Sequence, residues 1–133
     1  MIRSKSFLTF DAARVPSPCF VVDEVAVRQN LKILAQVQQA SGAKVLLALK
    51  AFSMFSLAPL ISHYLSGTCS SGLYETRLGH EEFGGEIHTY SAAYTEADLT
   101  EILQISNHVV FNSLNQWQRF QSLIQRARAR RPE

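Results

Sequence analysis

A chain of 133 residues, 47% hydrophobic and 18% charged, is long enough for one small domain with a real core and is not disordered in composition. The net charge of +2 is weak, and most of its excess lies in Arg126, Arg128, Arg130 and Arg131, which suits a helix C-terminus better than a nucleic-acid surface. The two cysteines, Cys19 and Cys69, lack a CxxC partner or a histidine at ligand spacing, and no stretch reads as a signal peptide or a membrane span; no disulfide framework, metal or membrane is expected, and a cytoplasmic location is.

Residues 1–15 read as irregular and mostly polar. Pro16 and Pro18 then favour an extended path into Cys19-Phe20-Val21-Val22, predicted as a short strand that closes a lead-in segment over 1–23. Asp23 can cap a helix from about Glu24 to Ser41. In it Val27, Leu31, Leu34 and Val37 recur at helical spacing, while Arg28, Gln29, Lys32, Gln36 and Gln39 face out. Gly42 is suited to end that helix.

Next comes Lys44-Val45-Leu46-Leu47-Ala48-Leu49-Lys50-Ala51-Phe52-Ser53. Aliphatic residues without alternation over Val45–Leu49 predict a strand buried on both faces, as in a parallel sheet. A lysine that closes a strand ordinarily swings into water. At the edge of an apolar core, however, desolvation disfavours the ammonium, and the neutral amine can attack a carbonyl and form a Schiff base, as enzymes do to hold pyridoxal phosphate. The order of the surrounding residues decides between these readings.

The pattern then repeats. A helix over about Ser56 to Leu65 ends near Gly67, and Thr68-Cys69-Ser70 follows as a strand. A helix over Leu73 to Phe83 stops at Gly84-Gly85, and Ile87 to Tyr90 is the next strand. Thr95 and Asp98 form a capping pair for a helix to about Ile105, and His108 to Phe111 is the fourth strand. Ser113 and Gln116 match a capping box for a last helix, whose apolar stripe (Trp117, Phe120, Ile124, Ala127) reads as core. Strand–helix alternation means a parallel α/β sheet. No glycine-rich phosphate loop follows the first strand, so a (β/α)8 barrel fits better than a doubly wound sheet. A complete barrel takes roughly 250 residues, so residues 24–133 are expected to be the N-terminal half of one.

In order and spacing, these residues resemble the alanine-racemase-like, fold-type III pyridoxal-phosphate enzymes. Within them they are most similar to the carboxynorspermidine (carboxyspermidine) decarboxylase branch. The likeness rests on Pro18-Cys19-Phe20-Val21-Val22-Asp23, Leu47-Ala48-Leu49-Lys50-Ala51-Phe52-Ser53, Ser71-Gly72-Leu73-Tyr74-Glu75-Thr76-Arg77-Leu78-Gly79, Glu82-Phe83-Gly84-Gly85-Glu86 and Phe111-Asn112-Ser113, and covers about 18–120. It implies a partial (β/α)8 barrel that binds pyridoxal 5'-phosphate, with Lys50 as catalytic residue and internal aldimine. Ala48, Cys69 and Ser70 would be neighbouring cofactor-binding positions. The implied reaction releases norspermidine or spermidine and carbon dioxide from a carboxylated polyamine. A homodimer is also implied, as are the rest of the barrel and a second, β-rich domain beyond Glu133, so that these 133 residues alone are expected to be poorly folded or self-associated and to have little activity.

Two departures stand out. Related basic-amino-acid decarboxylases carry an aspartate near the end of the second strand, where Cys69-Ser70 stands here, and Ala92-Ala93 replaces a common proline. Glu75 and Arg77 lie on motif positions without an assigned role, and an intrahelical Arg77–Glu81 ion pair is favoured over a substrate contact. His63, His80, His88 and His108 are scattered, and ordinary surface or core roles suit them. Cys69 reads as a small barrel-lining residue. Two alternatives remain open: another fold-type III enzyme, an amino-acid decarboxylase or racemase, and a non-catalytic piece of this fold.

Overall fold

The computed structural model describes residues 9–130. It is an α/β structure built on one four-stranded, all-parallel sheet in the order β1-β2-β3-β4, with β1 Leu46–Ala48, β2 Gly67–Ser70, β3 Glu86–Ser91 and β4 His108–Phe111. Six helices accompany it: α1 Glu24–Ser41, α2 Ala58–Ser62, α3 Leu73–Leu78, α4 Glu96–Ile105, α5 Leu114–Arg119 and α6 Gln121–Arg130. Each strand therefore pairs with the next in sequence, and the intervening helix makes the crossover that parallel strands require.

Local chemistry sets the boundaries. The Asp23 carboxylate accepts from the Val25 and Ala26 amides to open α1, and Gly42, at φ 71°, closes it in the left-handed conformation. The Thr95 hydroxyl accepts from the Asp98 amide at the start of α4, and that of Ser113 from Gln116 at the start of α5. Gln116 does not complete a capping box. Its Oε1 accepts from the Asn112 amide, and its Nε2 donates to the Ala92 carbonyl, so it ties the loop after β3 to the loop after β4.

The two faces of the sheet differ. Ile87, Thr89, Thr68 and Ser70 are buried against helices, as is Leu49 just past β1. The opposite face, with Tyr90 and Val110 41% and 50% exposed, carries no helix among the described residues. One-sided helices are what a barrel wall has and a doubly wound sheet lacks. The core lies entirely between sheet and helices. One cluster joins Leu31, Leu49, Ala58, Ile61, Leu65 and Phe83; a second joins Tyr94, Leu99, Ile102, Phe120 and Ile124.

Several sequence expectations need correction. Residues 19–22 form no strand: Phe20 is 97% exposed, and no described strand edge lies beside it. The strand β1 is only half-buried, because its second face is bare. In α1, Leu34 and Val37 are exposed, and the inward stripe instead runs through Leu31 and Gln38. The Gln38 side chain accepts from the Val45 amide and the Ser66 hydroxyl and donates to the Tyr64 carbonyl, pinning the helix to both chain segments that bracket α2. The last helix breaks at Phe120 into α5 and α6, which turns Trp117 outward (41% exposed) while Phe120 stays buried.

Candidate active site

The alternation of a strand places Ala48, Cys69, His88 and His108 on the helix-free face, and the parallel register lines them up as one row across the four strands. Lys50 follows at the C-terminal end of β1. Leu49 still donates to the Cys69 carbonyl at 3.0 Å, and then Ala51 and Phe52 both donate back to the Ala48 carbonyl, so Lys50 sits in a tight turn at the sheet's edge. Leu49 is 2% exposed and anchors that turn from below. The backbone at the lysine is thus held by the turn, while its side chain is exposed and makes no ion pair among the described residues. The apolar enclosure expected around it is not supplied by the described residues.

Of the predicted neighbours, Ala48 and Cys69 share a face and a row. Cys69 is half-buried and free, as is the exposed Cys19. Ser70 lies on the other face, buried under the helices with its hydroxyl unpartnered among the described residues, so it does not belong with the lysine. Above the row, the Tyr90 hydroxyl donates to Asn112 Oδ1 at 2.9 Å. Sequence reasoning passed over both residues; their position at the C-terminal ends of β3 and β4 is the signal that could have found them.

Small side chains leave room at this end of the sheet. Ala48, Ala51 and Cys69 surround the lysine's base, and a primary amine over such a floor suits a flat, carbonyl-bearing ring. The donor set therefore fits pyridoxal phosphate at the amine.

The motif residues without assigned roles make contacts within the fold. The Glu75 carboxylate accepts from the Ser71 amide at 2.7 Å, closing the turn that leads into α3. Arg77 forms a two-pronged ion pair with Glu101 of α4, not with Glu81. After Leu78 the helix widens into a π turn over Gly79–Phe83, and Arg77 reaches across to α4 rather than along its own helix. The Arg77 guanidinium holds the Glu101 carboxyl below its ordinary value. Beneath the sheet, Thr76, Thr89 and Ser106 form a buried chain of hydroxyls at 2.9 and 2.8 Å, which ends on the Gly72 carbonyl.

The histidines are not all scattered. His88 and His108 stack with ring centroids 4.2 Å apart and planes tilted by 38°. Glu86, two residues before His88 on the same face, lies with one oxygen 3.2 Å from His88 Nε2 and with the other on the Lys44 ammonium. Lys44, and to a lesser degree His88, hold the Glu86 carboxyl below its ordinary value.

No family profile matches the chain. It is 44% identical over 108 residues to the carboxynorspermidine/carboxyspermidine decarboxylase of Herminiimonas arsenicoxydans, covering 81% of this chain and 30% of that protein. It is 43% identical to the carboxyaminopropylagmatine decarboxylase of Synechocystis sp., covering 83% of this chain and 28% of the relative. A crystal structure of carboxynorspermidine decarboxylase complexed with norspermidine, from Campylobacter jejuni, superposes with a TM-score of 0.80 at 43% identity, over 84% of this chain and 30% of that one. The chain thus spans less than a third of the length of these relatives. The resemblance read from the sequence is borne out over that N-terminal part, and so is the fold: these four parallel strand–helix units match about 30% of a neighbour with the alanine-racemase-like fold.

Proposed function

We propose that this chain is the N-terminal part of a pyridoxal-phosphate-dependent decarboxylase acting on carboxylated polyamines, with Lys50 as the residue that holds the cofactor. The observation that carries this reading is the 42–44% identity to decarboxylases of this kind over more than four fifths of the chain. It is supported by a lysine, without an ion pair among the described residues, carried on a backbone turn at the C-terminal end of a parallel strand, the end where barrel enzymes place their chemistry.

When bound, the cofactor supplies the electron sink that decarboxylation needs. The chain's own residues contribute position. The turn at Ala48–Phe52 fixes where the lysine amine emerges, and Leu49 resists its displacement. Ala48 and Cys69 keep the floor shallow. The Tyr90–Asn112 pair and Gln116 hold the loops after β3 and β4 together at the rim, where a long cationic substrate would pass.

A second reading concerns substrate only. The likeness to a carboxyaminopropylagmatine decarboxylase is as high as that to the polyamine enzymes, so a guanidino-bearing analogue is the competing substrate. The test uses the full-length protein that contains this chain. After incubation with pyridoxal 5'-phosphate and borohydride reduction, peptide mapping should find the pyridoxyl mass on the Lys50 peptide, and Lys50→Ala should lose both label and carbon dioxide release. Product analysis then separates norspermidine or spermidine from aminopropylagmatine. Label on another lysine, or unchanged turnover in Lys50→Ala, refutes the assignment.

A further inference from the structure

Glu86, His88 and His108 lie twenty-two residues apart at most in sequence, and the parallel register brings them together: His88 is the direct partner of His108, and Glu86 shares the face of its own strand. One donor atom from each lies within 4.8 Å of the others. We propose that these three side chains form a binding site for a divalent cation of the zinc class.

Four observations carry this. First, the set is two imidazoles and one carboxylate, the donors that Zn²⁺, Co²⁺ and Ni²⁺ share; Ca²⁺ and Mg²⁺, which want oxygens throughout, do not fit it. Second, all three residues stand on hydrogen-bonded strands rather than loops, so the backbone already presents them in the right order. Bonds of about 2 Å in tetrahedral geometry put neighbouring donors about 3.3 Å apart, so donors within 4.8 Å of one another have at most about 1.5 Å to close. Third, the carboxylate is divided in a useful way. Lys44 occupies Oε1 and fixes the group, while Oε2 faces His88 and the open side, so a metal at Oε2 leaves the lysine contact intact. Fourth, the His108 imidazole is exposed, and its only contact among the described residues is the ring stacking with His88, so its nitrogens are available. Three protein ligands leave a fourth position for water or another ligand, the pattern of an open rather than a closed site.

A plain Glu86–His88 ion pair would explain the carboxylate contact but not the placement of His108. The test is cobalt titration of the full-length protein after chelator treatment, followed by visible absorption. The wild type should show a single saturable site whose colour zinc displaces. His108→Ala and Glu86→Gln should each weaken cobalt binding more than about tenfold, with unchanged far-UV circular dichroism, and His63→Ala and His80→Ala should leave it as it was. A thermal midpoint and far-UV circular dichroism matching the wild type in each variant separate loss of a ligand from loss of the fold. Absence of a saturable site overturns the proposal, and so does equal weakening by the control substitutions or wild-type affinity in His108→Ala.

Discussion

Tyr94 shows how much one side chain can couple distant backbone. Its ring is 7% exposed in the second core cluster and stacks edge-on against Phe111. Its hydroxyl donates to the Val110 carbonyl at 2.9 Å and reaches that of Thr89 at 3.3 Å, so the loop after β3 is held to two strands at once. Burial pushes the phenol up to about 12 from its ordinary value of 10.0. The consequence for stability follows from linkage. The unfolded chain loses this proton near pH 10 while the folded chain keeps it, so the stabilisation is complete below pH 10 and drains away between 10 and about 12. Denaturant melts across that window should show a loss of about 2–3 kcal/mol. Tyr94→Phe should remove most of this alkaline dependence, at a cost of about 1 kcal/mol at neutral pH for the missing hydrogen bond.

At the scale of elements, the π turn that follows α3 approaches β2 closely through Gly79. A Cβ built at Gly79 would stand 2.4 Å from Thr68 Oγ1, which is itself buried and unpartnered among the described residues. Alanine would favour the helix by up to about 1 kcal/mol, yet overpacking costs typically 1–3 kcal/mol. The clash wins, and Gly79→Ala should lower stability by about 1 kcal/mol or more. Adding Thr68→Ala removes the obstructing oxygen, so the double variant should recover most of the loss; additivity of the two changes would show that the contact is not the cause. The same turn marks where sequence reading stops. Helix and strand positions were legible because caps and hydrophobic runs are local: Asp23, Thr95 and Ser113 all cap as expected, and β4 has the expected bounds. The π turn is not local. Nothing in Gly79-His80-Glu81-Glu82-Phe83 announces it, and the partner of Arg77 lies twenty-four residues away on α4, beyond any local pattern. The row of Ala48, Cys69, His88 and His108 depends on register between strands about twenty residues apart, which no local pattern encodes. Lys50 was singled out from the order of residues around it, and its side chain is exposed, as a lysine that closes a strand ordinarily is.

For the molecule as a whole, acid sensitivity should come from two inter-element ion pairs. Lys44 holds Glu86, and Arg77 holds Glu101, in both cases lowering the carboxyl below the ordinary value of 4.5. Their stabilisation is therefore present in full above about pH 4.5 and is lost as pH falls through the lowered folded values. An acid titration followed by circular dichroism should show the wild type weakening below that pH and Glu101→Gln weakening less steeply there, having already lost its share at neutral pH. Equal slopes would assign acid unfolding to other groups. The strand order has a different kind of consequence. Every strand docks beside the one made just before it, and no described strand waits for a distant partner. Contacts of short sequence separation close quickly, so on the ribosome each strand–helix unit has its binding surface ready as it emerges, and the sheet can grow vectorially from its N-terminal edge at the pace of translation.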